Sequence, residues 1–301
     1  MFQTYFEQPV FNLLELIYAI VPGHDLGVAI ILFTAVIRVL LWPLVKRQLH
    51  QSKAMRKLQP ELKKIKKEAA GDRQKQARLQ MELYKEHGVK PLATIGTLIV
   101  QVPIFIALFF SIRKLIEDPS TLITFAYEPI RNLPWVQTLE ADMAQFQHTL
   151  LGIVDLSEKG IDGGLYFPAI VLAAVAGTVQ FFQSKMMLPD SKDAKSLSDI
   201  MRDAAEGRQA DQSDVGAAVS RTMLYFLPIM TFVFSAILPS ALALYILTSA
   251  AVGIAQQRRV FKQDEEELEE IAEEAIEKEE KAQPKTKKKA KKSSKRKKRR
   301  K

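Results

Sequence analysis

The sequence alternates between long apolar stretches and charged segments. Five stretches are nearly uncharged and close to the roughly 20 apolar residues that a membrane-crossing helix needs. They are Leu26 to Val45, Thr94 to Ile112, Gly164 to Ser184, Met223 to Leu238, and Ser240 to Gln256. The last two together are too long for one crossing, and Pro239 separates them, so we predict two spans folded back as a hairpin. The pattern predicts an all-α polytopic membrane protein with five transmembrane helices.

The basic residues between these stretches indicate how the chain is oriented. Residues 1–25 contain no Lys or Arg, and residues 114–163 contain three against eight acids. Residues 46–93 carry fourteen basic residues, and the tail from Arg258 carries eighteen. Because Lys and Arg concentrate in cytoplasmic loops, we predict the N-terminus outside and the C-terminus in the cytoplasm. The loop 189–222, with five basic and seven acidic residues, is placed inside by the alternation and is predicted to be flexible.

Two segments are predicted on the outer side. Residues 1–23 predict an amphipathic helix with Phe2, Phe6 and Phe11 among its apolar positions. This helix either lies on the outer interface or packs against the bundle. The outer loop 114–163 contains Trp135 among apolar residues and prolines, which favours short helices at the interface.

Residues 46–92 predict a cytoplasmic helical hairpin between the first and second spans. In its first helix, apolar residues recur at helical spacing between lysines: Met55, Leu58, Leu62 and Ile65. Gly71-Asp72 marks the turn, and the second helix ends at Gly88. That second helix places three side chains on one face: Ala77, Met81 and Tyr84. The hairpin is either an arm that meets a partner or the membrane surface, or a solvated connector whose lysines touch anionic lipid headgroups.

Residues 261–301 are predicted to be a charged, disordered cytoplasmic tail. Asp264 to Glu280 contains eleven acids and could form a charged helix, whereas Lys281 to Lys301 contains fourteen basic residues. A disordered basic segment binds polyanions by counterion release, so we expect it to bind a ribosome, with anionic lipid as the alternative. The positions expected to bind are Lys287, Lys288, Lys291, Lys295, Arg296 and Arg299.

Composition narrows the chemistry. The chain has 301 residues, a net charge of +9 and no cysteine, which excludes disulfides, Cys-based zinc sites and cysteine nucleophiles. Four widely spread histidines do not indicate a metal site, and no glycine-rich phosphate-binding motif is present in the sequence. We therefore expect no cofactor, no metal and no enzymatic reaction. The mean hydropathy of −0.03 averages the apolar spans with the basic segments and describes neither.

The most informative residue is Arg38, the one charge inside the five predicted spans. A charge in a lipid-facing helix costs at least ~2.5–3.5 kcal/mol, so it normally faces a polar cavity or a partner. No acid lies in any predicted span, which leaves snorkelling to the interface as the alternative to a cavity. Arg38 lies about 10 Å from the predicted inner end of its span, a long reach for its side chain.

Other polar residues in the spans lie at a similar depth. Counted at 1.5 Å per residue, they fall about 8–12 Å from the inner surface. They are Gln101, Gln180, Thr231, Thr248 and Ser249, and Thr34 lies one helical turn from Arg38 on the same face. Each alone is typical of an interhelical hydrogen bond, but together with Arg38 they predict a hydrated, positively charged groove that opens to the cytoplasm. Such a groove would shorten the apolar distance that a polar polypeptide segment must cross, and the guanidinium would attract its acidic residues.

The chain resembles the YidC/Oxa/Alb family of membrane protein insertases over about residues 24–260. The motifs that carry the resemblance are Thr34-Ala-Val-Ile-Arg38 followed by Pro43, Met55-Arg-Lys-Leu-Gln59-Pro60, Leu83-Tyr-Lys-Glu-His-Gly-Val-Lys-Pro91, Gln101-Val-Pro-Ile-Phe105, Leu227-Pro228 and Leu238-Pro-Ser-Ala-Leu-Ala-Leu-Tyr245.

The resemblance implies a membrane insertase or chaperone for nascent polypeptides in the bacterial plasma membrane. It assigns the family's groove arginine to Arg38 and a nearby functional threonine to Thr34. It assigns the substrate-receiving hairpin to residues 46–92, with Met55, Leu58 and Tyr84 as its contact residues. It also implies ribosome binding by the tail and a Sec-type translocon as a further partner. The chain lacks the large outer domain, signal peptide and lipid-modified Cys of some members, so we expect a minimal form.

Two other functions fit parts of the pattern. In a small anion transporter or channel subunit, Arg38 would bind the solute, but polar residues would then be expected in the outer halves of the spans. In a ribosome-tethering membrane protein, the tail would matter and Arg38 would not.

Overall fold

The computed structural model is mostly helical and describes residues 1–69, 72–89, 93–187, 196–206 and 212–282. The chain divides into two compact units, residues 1–257 and residues 258–301. The helices are α1 (Gln8–Ile20), α2 (Leu26–Leu40), α3 (Trp42–Lys57), α4 (Gln59–Ala69), α5 (Arg73–Glu86), α6 (Ala93–Glu117), α7 (Thr121–Thr124), α8 (Glu128–Arg131), α9 (Pro134–Ala141), α10 (Phe167–Met187), α11 (Leu197–Ala205), α12 (Gln212–Ile237) and α13 (Ser240–Ala282). A π-helix, Gln3–Glu7, precedes α1, a 3-10 helix covers Met143–Gln145, and β1 (Thr149–Leu150) pairs antiparallel with β2 (Val154–Asp155).

Among the described residues, two helices are long and apolar enough to cross a membrane, Phe167–Met187 and Ser240–Gln263. The bent pair α2 and α3 adds a third if it counts as one span, and α12 contains a shorter apolar helix, Arg221–Ile237. The helical class and the membrane-spanning character agree with the prediction. The number five stays a prediction.

The predicted first span, Leu26 to Val45, is not one straight helix. The chain bends by 67° between α2 and α3, close to Leu41. Pro43 lies in the first turn of α3, where a missing backbone N–H costs nothing because the first N–H groups of a helix have no partner within it. The break therefore lies inside the stretch Leu26 to Val45, which was predicted to be one span.

The main apolar core lies between the N-terminal helices and α13. Its largest fully buried side chains include Phe11 and Tyr18 of α1, Phe33 of α2 and Leu108 of α6. α1 packs on both α2 and α6, so packing against the bundle, one of the two alternatives for residues 1–23, is what the structure has. The close pairing of α10 with α12 is made at Gly177, where a Cβ would lie 3.1 Å from the Pro228 carbonyl oxygen.

Two predicted irregular segments contain helix. The loop 189–222 was predicted to be flexible, but it includes α11 and the first turns of α12, which begins at Gln212. Ile200 of α11 is buried, and α11 contacts α12. The tail predicted to be disordered from residue 261 is helical as far as Ala282, the end of α13. That part includes the acidic run Asp264 to Glu280, as its charged-helix alternative anticipated.

Candidate functional site

Arg38 lies in the last turn of α2 with its side chain half-buried. Its guanidinium donates two hydrogen bonds to the Ser249 hydroxyl oxygen on α13, from Nε at 3.0 Å and from Nη2 at 2.6 Å. Within the described part of the chain, no carboxylate forms an ion pair with Arg38. The positive charge is thus held by a neutral hydroxyl in an apolar setting, where a free charge is costly.

A second contact joins α13 to the backbone of the same residue. The Gln256 side-chain amide donates to the Arg38 carbonyl oxygen at 2.9 Å, and Gln256 is buried. The last carbonyls of a helix have no N–H partner within that helix, and α2 ends two residues later, at Leu40. Gln256 therefore supplies a donor at the point where the chain bends.

Tyr245 and Gln101 extend this group of polar side chains to α6. The Gln101 amide donates to the Tyr245 hydroxyl, and Tyr245 is buried. The Tyr245 hydroxyl also lies close to the Ser249 side chain and to Arg38. Tyr245 precedes Ser249 by four residues, so both side chains lie on one face of α13.

Gln183 of α10 completes the group. Gly253 of α13 is buried, and the space that a Cβ would fill there is occupied by the Gln183 amide nitrogen. The same point lies 3.6 Å from Nη1 of Arg38. We call Arg38, Gln101, Gln183, Tyr245 and Ser249 the Arg38 cluster, because α2, α6, α10 and α13 each contribute to it.

The structure brings together only part of the predicted polar set. Arg38, Gln101 and Ser249 belong to the Arg38 cluster. Thr34 is buried and donates to the Ile30 carbonyl of its own helix at 2.6 Å, and Gln180 donates to Ser184 of its own helix at 3.4 Å. Thr231 and Thr248 are half-buried, and no hydrogen bond among the described residues joins them to the cluster.

Gln183 and Tyr245 were not among the predicted site residues. Gln183 lies one turn beyond the predicted Gln180 on α10. Tyr245 was quoted only as the last residue of an apolar motif. Its signal in the sequence is the spacing of four residues to Ser249, which puts a phenol beside the hydroxyl that holds Arg38.

The far ends of the same helices are tied together by one segment, residues 148–161. The backbone N–H of Leu151 donates to the Asp25 carboxylate before α2 at 2.6 Å. The N–H groups of Ser240 and Ala241, which begin α13, donate to the carbonyls of Glu158 and Leu156, and the N–H of Ile161 donates to the Ala236 carbonyl of α12. These bonds join α2, α12 and α13 at the end opposite the bend.

The sequence model of the 60Kd inner membrane protein family matches residues 17–267. The chain belongs to this family. Its apolar helices and its relatives indicate a bacterial membrane protein.

Relatives in the 60Kd inner membrane protein family are named as insertases. The chain is 30% identical over 261 residues to the membrane protein insertase YidC of Tolumonas auensis, which covers 86% of this chain and 37% of that protein. It is 31% identical over 240 residues to YidC of Fusobacterium nucleatum, covering 79% and 87%. It is 32% identical over 253 residues to the membrane protein insertase MisCA of Bacillus subtilis, covering 82% and 75%. The chain thus spans little more than a third of the Tolumonas protein.

The segment that was predicted to form a hairpin contains α4 and α5, with the end of α3 beside them. Leu58, Leu83 and Val89 form a small apolar cluster, and Met55 and Tyr84 pack against it. Burial raises the pKa of the Tyr84 hydroxyl above its usual value. Ala77 and Met81, predicted to share the apolar face with Tyr84, are exposed instead, so the packed face runs through Leu83.

The predicted ribosome-binding residues lie outside the described part of the chain. They are Lys287, Lys288, Lys291, Lys295, Arg296 and Arg299.

Proposed function

We propose that this chain is a membrane protein insertase that guides nascent polypeptides into the bilayer through a hydrated, positively charged groove facing the cytoplasm. The observation that carries the proposal is the Arg38 guanidinium, half-buried in an apolar helix and held by the Ser249 hydroxyl. Among the described residues it has no carboxylate partner, which leaves its charge available to an acidic substrate. The names of the relatives support the same function.

Such a site forms no covalent bond with its substrate and acts through hydrogen bonds and charge. A polar segment that enters the hydrocarbon core loses its hydration, and the cost rises with the number of polar groups that stay unpaired. Side-chain amides and hydroxyls of the Arg38 cluster offer alternative hydrogen-bond partners along part of the path. The guanidinium adds an attraction for carboxylates that is stronger in a low-dielectric setting than in water. The lowered transfer barrier needs no nucleophile, metal or nucleotide.

The two ends of the helices support a groove that opens to one side only. The 148–161 segment bonds to the ends of α2, α12 and α13, which favours closure there. We infer that this closed end faces outside and that the hairpin end faces the cytoplasm, because residues 46–93 carry fourteen basic residues. The N-terminus is then outside and the tail inside the plasma membrane. Residues 46–92 would receive substrate through Met55, Leu58 and Tyr84, and the groove would use Thr34, Gln180, Thr231 and Thr248 beside the Arg38 cluster.

The partners follow from this placement. We infer that the substrates are nascent membrane proteins and that the basic tail holds the ribosome that makes them. A Sec-type translocon is a further partner of the same proposal.

The proposal is tested in a strain depleted of its own insertase. The chain is expressed there, and insertion of a single-span substrate with an acidic outer tail is followed by protease protection. We expect the intact chain to restore insertion. Arg38→Ala should reduce it several-fold, whereas Arg38→Lys, which keeps the charge, should retain more activity than Arg38→Gln.

Two matched controls make the result specific. A substrate whose tail acids are changed to Asn and Gln should insert equally well with the parent and with Arg38→Ala. Arg202→Ala removes a positive charge from the exposed surface of α11, outside residues 46–92, and should leave both substrates unaffected. Failure of the intact chain to restore insertion would refute the proposal.

A further inference from the structure

The helix α13 contacts both the side chain and the backbone of Arg38. Ser249 accepts the hydrogen bonds of the guanidinium, and Gln256 donates to the carbonyl oxygen of the backbone. Positions 249, 253 and 256 are spaced by four and three residues, so they lie on one face of α13. We call Ser249, Gly253 and Gln256 the Arg38-facing stripe.

Gly253 leaves room beside the Arg38-facing stripe for the Gln183 side chain. It is buried between Ser249 and Gln256, and the Gln183 amide fills the space where a Cβ would lie. Nη1 of Arg38 is 3.6 Å from the same point, an ordinary van der Waals distance. A side chain at 253 would therefore displace the Gln183 amide, which lies next to the guanidinium.

We propose that Gln256 and Gly253 are positioning residues that keep the Arg38 guanidinium at its depth in the groove. An arginine this close to a helix end can extend its long stem toward the aqueous interface. Attachment of the carbonyl to Gln256 fixes where the stem begins, and attachment of the tip to Ser249 fixes where it ends. The inference rests on the proposed function for its effect on insertion, but the position of Gln256 against the bend can be measured without any substrate.

The neighbouring Gln257 provides a matched control. Both glutamines are buried on the same helix, at 8% exposure for Gln256 and 2% for Gln257. The Oε1 atoms of both lack a hydrogen-bond partner among the described residues, so they differ in the bond that Gln256 makes to Arg38. Methionine has a similar volume and no amide, so Gln256→Met and Gln257→Met remove one amide each.

The first measurement is a distance across the bend. Because the chain has no cysteine, spin labels can be attached at Arg47→Cys of α3 and Ala255→Cys of α13, both exposed positions. Double electron–electron resonance is recorded in lipid nanodiscs. We expect Gln256→Met to shift or broaden the distance distribution and Gln257→Met to leave it as in the parent. An unchanged distribution in Gln256→Met would overturn the inference, whatever insertion does.

The second measurement separates positioning from general stability. In the depletion strain, we expect Gln256→Met to lower insertion of the acidic-tail substrate by about three- to tenfold, the loss typical of one buried hydrogen bond. The Asn/Gln-tail substrate should be unaffected. In an Arg38→Ala background, Gln256→Met should cause no further loss, because the guanidinium that it positions is already gone. A further loss of the same size in that background would contradict a positioning role.

Gly253→Ala is the second variant, with Gly177→Ala as its control. Both glycines are buried at close helix contacts, but the Cβ at 177 would meet Pro228 and Phe232 rather than the Arg38 cluster. We expect only Gly253→Ala to lose its effect when Arg38 is already alanine. An intact chain that fails to restore insertion would refute the proposed function alone, since the distance measurement still decides the position of Gln256.

Discussion

Leu150 packs against Gly27 at the first turn of α2. A Cβ on Gly27 would lie 2.7 Å from the Leu150 Cβ and 2.9 Å from its Cα. The second of these atoms is backbone, so the contact cannot be relieved by rotating a side chain. Next to it, the Asp25 carboxylate accepts hydrogen bonds from the N–H groups of Val28 and Leu151. The 148–161 segment is therefore seated on α2 by shape as well as by hydrogen bonds.

Replacing Gly27 with alanine should destabilise the protein. The added methyl group forces the 148–161 segment away from α2, and overpacking of this kind costs about 1–3 kcal/mol. We expect Gly27→Ala to lower the Tm in detergent by several degrees. Gly164→Ala is the control, because nothing lies within 4 Å of a Cβ there. Equal Tm values for the two variants would contradict this packing.

Glu15 of α1 should make stability depend on pH. Its side chain is 2% exposed, and neither carboxylate oxygen has a hydrogen-bond partner among the described residues. Burial raises the pKa of this carboxyl from 4.5 to about 8. Between these two values the folded protein keeps a proton that the unfolded chain loses, so the free energy of unfolding falls as the pH rises. The slope is at most about 1.4 kcal/mol per pH unit.

Glu15→Gln should remove this part of the pH dependence. We expect its Tm to change less than that of the parent between pH 5 and pH 8, and to exceed the parent's at pH 9. Glu128→Gln on the exposed surface of α8 should keep the parent's profile. A steep profile that survives in Glu15→Gln would assign the dependence to another group.

The α4–α5 pair should loosen when its apolar cluster is reduced. Leu83 is 7% exposed and packs with Leu58 and Val89, whereas Met81 on the neighbouring face is 56% exposed. We expect Leu83→Ala to speed amide hydrogen exchange throughout residues 59–86, because such a small cluster has few other contacts to replace the loss. Met81→Ala should leave exchange unchanged. Similar protection in both variants would show that this cluster does not hold the pair.

Removing residues 283–301 should weaken binding to ribosomes. The segment carries most of the fourteen basic residues from Lys281 onward, and binding by counterion release is strongly salt-dependent. We expect reduced co-sedimentation at low salt and little difference at high salt. Vesicles with and without anionic lipid provide the comparison: a loss confined to anionic vesicles would assign the tail to the membrane instead of the ribosome.

Much of the helical layout can be predicted from the sequence, because a long run of apolar residues indicates a helix that is buried in lipid or in a protein core. The predicted span Gly164 to Ser184 is shifted by only three residues from α10. The break at Leu41 was not predicted, although Pro43 was visible. A proline is compatible with a kink within one span or with the first turn of a new helix. Tertiary contacts, such as the one that Gln256 makes, decide which of the two forms.

The site residues were predicted from their depth along each helix alone. Whether a side chain reaches the site also depends on its direction around the helix axis. Gln180 and Gln183 lie within one turn of α10, so both satisfy the depth argument. Which of them meets Arg38 depends on the rotation of α10 about its axis, which is set by packing such as that of Gly177 against α12. The same reason explains why Thr34 is outside the Arg38 cluster, since its hydroxyl bonds to a carbonyl of its own helix. Tyr245 was missed because an aromatic ring reads as apolar although its hydroxyl is polar.

The bend after Leu40 also affects the lipid. α2 has 15 residues, so it is about 22 Å long, whereas the hydrocarbon core of a typical bilayer is about 30 Å thick. A short helix is accommodated when the surrounding bilayer becomes thinner, at a cost of fractions of a kcal/mol per ångström. We therefore expect the acyl chains beside α2 to be compressed before any substrate arrives, so that a polypeptide crossing there meets less hydrocarbon than elsewhere in the same membrane.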